Sequence, residues 1–198
     1  MNIIQSNLIV LASILISSSV LAQRDSSGIY KTADDFQNRK LSYAINYKTE
    51  KHKIKDNMLF NNDEVKVKHD GTLYTLKKAE TFGYRDSKGI EFRFVGNKEY
   101  KVINPGEPIV MYVYQHPAHS AKDLSNGLYK PEYYFTKDAF SPLQNLTIAN
   151  VKVIFPENHK LHNALDAQFK YDNELYAYDN FHKMFKLNWL IKSNIINQ

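Results

Sequence analysis

The chain has no cysteine among its 198 residues. That excludes disulfides, thiolate metal sites, thiol nucleophiles and the lipid attachment used by lipoproteins. The fold must therefore rest on its apolar core. Glycine is scarce, at 7 residues, and there is a single Trp. No phosphate-cradling glycine loop and no dinucleotide fingerprint can be found. The chain also lacks a Gly-x-Ser-x-Gly elbow, a Ser-x-x-Lys pair and a His-Glu-x-x-His motif. Dense blocks of one charge sign are missing too. The net charge is +5 and the pI about 9.1, but lysines are interspersed with Asp and Glu. No nucleic-acid partner and no cofactor are expected from this pattern.

Long apolar runs are also few. The longest, Leu8 to Leu21, is broken only by serines and one alanine and ends in Val20-Leu21-Ala22. It is short for a membrane span and has the length of a signal-peptide core, followed at once by polar Gln23-Arg24-Asp25. The expectation is a cleavable leader over 1–22 and an exported protein, periplasmic or secreted, over 23–198, with no membrane span once the leader is removed. Retention of the leader as an anchor is the alternative. The 43% hydrophobic and 24% charged content suits a folded domain.

The remainder predicts an α+β fold: an antiparallel β-meander over 41–135 packed against a C-terminal helical part over 147–196. Thr32-Ala33-Asp34-Asp35 has the form of a capping box opening a short helix, with Phe36 as its anchor. Asp70-Gly71 predicts a type I′ hairpin that pairs Val67 with Tyr74 and Val65 with Leu76. Asp86-Ser87-Lys88-Gly89 predicts a second hairpin pairing Tyr84 with Phe92 and Arg85 with Glu91. A three-residue turn at Gly96-Asn97-Lys98 would then set Tyr100 beside Phe94 and Val102 beside Phe92. Ile109 to Tyr114, apolar on both faces, reads as a covered strand, and Tyr133-Tyr134-Phe135 as a further one. Gln115 to Lys130 reads as a loop.

In the last third, Leu161, Leu165 and Phe169 recur at helical spacing. Asp172 is expected to cap a short helix holding Leu175 and Tyr178. Asp179 is expected to cap a last helix with Phe181, Met184, Phe185, Asn188 and Trp189 on one face. Thr147 to Phe155 is open: its β-branched residues favour a strand, and Thr147 as N-cap with Leu146 stapled to Val151 favours a helix. The expected core is Phe82, Tyr84, Phe92, Phe94, Tyr100, Val102, Val113, Leu161, Leu165, Phe169, Phe185 and Trp189.

The stretch Gly28 to Leu41 (GIYKTADDFQNRKL) resembles the opening of small exported proteins of Bacteroidetes-type bacteria. Leu146 to Val151, Phe155 to His159, Tyr178 to Met184 and Leu187-Asn188 resemble the same group. That group carries no assigned activity. The resemblance implies export, an envelope setting and a helix after Thr147, and it transfers no catalytic residue.

Two sets of side chains could bind metal. His159, His162 and Asp166 would share a helix face as an N,N,O set, and His116, His119 and Asp123 surround a rigid proline. Glu91, Glu99, Glu107 and Glu132 are carboxylates available to a hydrolase, each also readable as strand surface or turn. The chain is rich in tyrosine, with 14, against 11 Phe. Tyr129, Tyr133 and Tyr134, beside the irregular loop, are candidates for stacking on a sugar or peptide, or for packing between sheet and helices. Two functions follow. One is a non-enzymatic envelope or surface binding module for an envelope polymer, glycan or protein. The other is a hydrolase or metal-dependent enzyme.

Overall fold

The computed structural model describes residues 26–46, 54–56, 63–116 and 130–195. The leader, Tyr129, His119 and Asp123 lie outside the described residues. Its architecture is α+β, an eight-stranded antiparallel sheet with a helical region at the C-terminal end.

Strand β1 (Ser26–Tyr30) is followed by the short helix α1 (Ala33–Gln37) and strand β2 (Ser42–Asn46). The Thr32 hydroxyl accepts from the Asp35 amide at 3.1 Å, and the Asp35 carboxylate accepts from the Thr32 amide at 3.2 Å, so the expected capping box forms. Strands β3 (Ile54–Asp56), β4 (Glu64–His69) and β5 (Thr72–Lys77) form a separate three-stranded sheet. In its β4–β5 hairpin Asp70 and Gly71 both have positive φ, 47° and 78°, as a type I′ turn requires. The register is the expected one, His69 opposite Thr72 and Val65 opposite Leu76. Val65 and Val67 are buried while Lys66 and Lys68 face out.

The large sheet continues with β6 (Gly83–Arg85), β7 (Glu91–Val95), β8 (Lys98–Val102), β9 (Val110–Tyr114), β10 (Glu132–Thr136) and β11 (Gln144–Asn145). Its order is β11-β10-β9-β8-β7-β6-β1-β2. The β6–β7 hairpin has the expected pairs, and the Tyr84 and Phe92 rings stack at 4.7 Å. The next register differs from expectation. Val95 faces Lys98, so the turn is only Gly96-Asn97, and Tyr100 sits opposite Arg93 rather than Phe94. Gly96, at φ 58°, closes this two-residue turn. A one-residue slip moves a strand's side chains to the other face. Tyr100 and Val102 therefore leave Phe92 and Phe94 and join Tyr112 and Tyr114.

This register divides the interior into three clusters instead of one. Tyr30, Phe36, Tyr100, Val102, Tyr112 and Tyr114 pack on one face of the sheet beneath α1. Ile29, Tyr84 and Phe94 pack on the other face against Val65 and Val67 of the small sheet. Met111 and Phe135, also on that second face, pack against the C-terminal helices. Phe82, Phe92, Val113, Phe185 and Trp189 are only half-buried. β9 is covered on both sides, as its composition suggests.

Those helices are α2 (Ile148–Ile154), α3 (His159–Gln168) and α4 (Lys186–Ile195). Thr147 caps α2, so the ambiguous segment is a helix. Two capping expectations are overturned. Asp172 begins only a single 3-10 turn, and its carboxylate accepts from the Ile148 amide at 2.8 Å, closing the start of α2 from a distance in sequence. Asp179 starts no helix. Its Oδ1 accepts from the Phe181 and His182 amides at 2.8 and 3.1 Å, making a turn between the two-residue strands β12 (Tyr178–Asp179) and β13 (Met184–Phe185). Helix α4 starts only at Lys186, so Phe181, Met184 and Phe185 are not on its face. Among the described residues no helix is long and apolar enough to cross a membrane.

Candidate functional site

The sequence-derived metal set sits at the junction of α2 and α3. His162 Nε2 lies 2.9 Å from the Phe155 carbonyl and 3.2 Å from that of Lys152. Carbonyls only accept, so Nε2 carries the proton and caps the end of α2. Asp166 receives Lys152 Nζ at 2.6 Å. His159 is exposed and meets His162 only ring edge to ring face, at 5.9 Å. His162 and Asp166 tie the two helices together, and His159 takes no part. Among the described residues no three His, Asp or Glu side chains are grouped to hold a metal ion.

The tyrosine candidates separate because successive strand residues face opposite ways. Tyr133 stacks on Tyr176 at 3.7 Å, between sheet and helical region. Tyr134 lies on the other face, 5.2 Å from Tyr100. Tyr100 also meets Tyr114 at 5.2 Å, and Lys98 Nζ stands 5.1 Å from the Tyr114 ring centre. At this end His116 Nε2 lies 2.7 Å from Glu132 Oε1, and the Tyr134 hydroxyl donates to Glu132 Oε2. The Tyr134 hydroxyl, then His116, hold Glu132 below the usual carboxylate range. Burial, aided by Glu132, pushes the Tyr134 hydroxyl far above the tyrosine range. Tyr134 is half-buried, and Tyr100 and Tyr114 are buried, so these rings form a packed cluster and not a flat exposed platform.

Two recesses among the described residues lie elsewhere, over the start of β9 and the end of β10. A recess of about 250 Å³ is lined by Phe36 and Arg39 at the end of α1, Glu107, Val110, Lys137 and Ala139. A second, of about 290 Å³, is lined by Phe155, Ile191, Lys192 and Ile195. Pro108, Lys137 and Asp138 wall both, so the two recesses are neighbours, one on the α1 side of the sheet and the other on the helical side, and together they make a two-part trough. Its floor is apolar and its rim charged, the usual make-up of a ligand site.

Each rim charge is held differently. Arg39 pairs with Glu91, which also accepts from the Tyr30 hydroxyl at 2.9 Å. Burial works against the Arg39 charge, and Glu91 outweighs it and raises its pKa. Asp138 is held low first by the Ser141 hydroxyl, with the Ser141 and Phe140 amides adding to it. Lys137 Nζ stands 5.8 Å from the Phe155 ring centre. Among the described residues neither Lys137 nor Lys192 has an ion-pair partner. Lys137 and Lys192 thus bring two cations without a direct ion pair, set against the Glu107 and Asp138 carboxylates on the same walls, of which Asp138 feels the Lys137 charge.

The trough is shaped by a buried polar clamp. Asn104 donates to the Ile109 carbonyl at 2.7 Å and accepts from the Met111 amide at 2.6 Å. Asn188 of α4 accepts from the Ile109 amide at 2.9 Å. This anchors the chain where it re-enters the sheet after the Asn104–Pro108 break, and it leaves Glu107 beside the recess. Asn104 Nδ2 also donates to Glu107 at 3.2 Å, but burial dominates and raises the Glu107 pKa.

A carboxyl raised in this way folds more readily protonated than ionised. It therefore subtracts stability as pH climbs above the ordinary carboxylate value. Glu107→Gln should match the wild type near about pH 3, below the unfolded carboxyl's pKa, and become the more stable of the two as pH rises towards neutrality. Thermal unfolding midpoints across that range check it. A difference independent of pH would show that ionisation of Glu107 is not the cause.

Sequence reasoning missed this trough. Its residues come from five separate stretches, and Arg39, Lys137 and Lys192 each read alone as ordinary surface charge. The only local signal was the Asn104-Pro105-Gly106-Glu107-Pro108 break. Compared with known proteins, the chain matches no family model, no curated protein and no solved structure.

Proposed function

We propose that this chain is an exported, non-enzymatic binding module of a bacterial envelope, and that the trough over the ends of β9 and β10 is its ligand site. The trough carries the reading: an apolar floor with Lys137 and Lys192 at its rim suits an elongated amphiphile with an apolar body and an anionic head. Support for export comes from the leader pattern over 1–22 and the resemblance of the Gly28–Leu41 stretch. Mass spectrometry of natively produced material should find Gln23 as the first residue; an intact Met1 on material recovered from the cytosol would refute export.

The ligand class is tested with anilinonaphthalene sulfonate, an aromatic body bearing one anionic group. Saturable fluorescence enhancement is expected, with competition by decanoate. Reversing both rim charges, Lys137→Glu with Lys192→Glu, should weaken binding about tenfold, since each charge near an anion contributes up to about 1 kcal/mol at a wet rim. Unchanged affinity in the double variant would remove the trough from consideration.

A further inference from the structure

The hairpin β12–β13 carries the most exposed large apolar side chain among the described residues, Phe181, at 87% exposure. An exposed phenylalanine is ordinary on a loose loop, but this loop is pinned. Asp179 Oδ1 accepts from two tip amides, and its Oδ2 lies 2.8 Å from His182 Nδ1. The His182 ring packs on Trp189 of α4 at 4.5 Å. The turn thus holds Phe181 outward at little further ordering cost on binding.

The charge along the hairpin is net positive, although the Phe185 backbone at its base donates to Glu107. From Tyr178 to Lys186 the single acid is Asp179, which is consumed by His182 and the turn amides. Lys183 and Lys186 are exposed and have no ion-pair partner among the described residues. Tyr178, nearly half exposed, adds an amphipathic ring. One protruding aromatic, an amphipathic tyrosine and two lysines are the make-up of an interfacial anchor on an anionic bilayer.

We infer that the Asn180-Phe181-His182-Lys183 tip is a peripheral docking point for a negatively charged lipid surface, with Phe181 entering the interface and Lys183 and Lys186 meeting the headgroups. The contact is weak and reversible, since one ring and two charges are far below a stable anchor. It lies apart from the trough and does not depend on the ligand proposed there.

The test is co-sedimentation with phosphatidylcholine vesicles with and without phosphatidylglycerol. Wild type and variants are prepared identically, so any contribution from residues 1–25 cancels. Binding is expected only to the anionic vesicles. It should fall about tenfold in Phe181→Ala, and comparably in Lys183→Glu with Lys186→Glu. The Lys137→Glu, Lys192→Glu protein should bind vesicles like the wild type, and Phe181→Ala should keep its amphiphile affinity. The sole tryptophan, Trp189, packed against His182, reports the tip directly, and its emission should change on vesicle binding. Equal vesicle binding by wild type and Phe181→Ala, or no binding to anionic vesicles, overturns the proposal. Because Phe181 is exposed, its removal leaves the unfolding midpoint unchanged.

Discussion

Replacing Gly83 by alanine should abolish stable folding. Gly83 lies in the middle of the sheet, opposite Tyr30 of β1 on one side and Arg93 of β7 on the other. A Cβ there would stand 1.9 Å from the Phe92 carbonyl oxygen, 3.0 Å from its carbon and 3.1 Å from Arg93 Cα. All three are backbone atoms of the adjoining strand, so no side chain can turn aside. Relief requires β6 and β7 to part, which breaks ladder hydrogen bonds and opens the aromatic stack of Tyr84 on Phe92. Overpacking that side chains absorb costs about 1–3 kcal/mol; a clash with backbone belongs at or above the top of that range. Natural domains have only about 5–15 kcal/mol in total. Gly83→Ala should be largely unfolded or insoluble, with Gly96→Ala, whose added Cβ meets nothing within 4 Å, far milder. Urea unfolding followed by Trp189 emission tests this, and equal midpoints for Gly83→Ala and wild type would contradict the packing described.

Arg39→Ala is the second large effect. Glu91 is 4% exposed, and it faces Tyr30 and Arg39. Burial, with Glu91 beside it, pushes the Tyr30 hydroxyl well above the ordinary tyrosine range, so Tyr30 remains a donor and supplies no charge. Arg39 is thus the cation that answers the Glu91 carboxylate. Its backbone shows what that pairing is worth. Arg39 follows the end of α1 with φ 58°, the left-handed position where helices commonly place glycine. The Lys40 amide donates back to the Asp35 carbonyl at 2.7 Å, closing the helix end. A non-glycine residue there costs about 1 kcal/mol, and the guanidinium contact with Glu91 offsets it.

Removing one partner of a buried ion pair costs about 3–5 kcal/mol. Arg39 is about a third exposed, so water partly replaces it, and the expectation for Arg39→Ala is about 2–3 kcal/mol. Adding Glu91→Gln should recover much of the loss, because an amide needs no counter-charge. Arg39→Gly separates the two effects, relieving the backbone while still breaking the pair, and should fall between Arg39→Ala and wild type. A double variant no more stable than Arg39→Ala would mean that the pair is not what holds the two side chains together.

What could be seen in the sequence follows the range of the forces involved. The capping box at Thr32, the type I′ turn at Asp70-Gly71 and the Asp86–Gly89 hairpin rest on contacts within a few residues, and each forms as its local chemistry dictates. Thr147 likewise caps a helix despite the β-branched residues after it. β1 was not anticipated: Ser26-Ser27-Gly28-Ile29-Tyr30 has no alternation, and it is a strand because it inserts between β2 and β6. Asp172 and Asp179 do accept backbone amides, but those of α2 and of a turn rather than of helices beginning at their own positions. The Gly96-Asn97 turn is one residue shorter than expected, which moves Tyr100 and Val102 to the α1 side of the sheet. Tyr133 and Tyr134, which the sequence leaves open between stacking platform and packing, both pack. The trough needs the whole tertiary arrangement, since the ends of α1, β10 and α4 meet only after folding.

The reading as a binding module is tested most directly by following backbone amide shifts of the isotopically labelled protein while decanoate is added. The account predicts saturable shifts at Gln37, Val110, Lys137, Ala139 and Lys192, lost together when Lys137 and Lys192 are both replaced by glutamate. Saturable shifts confined to the Tyr100, Tyr114 and Tyr134 end of the sheet, or none at all, would contradict it.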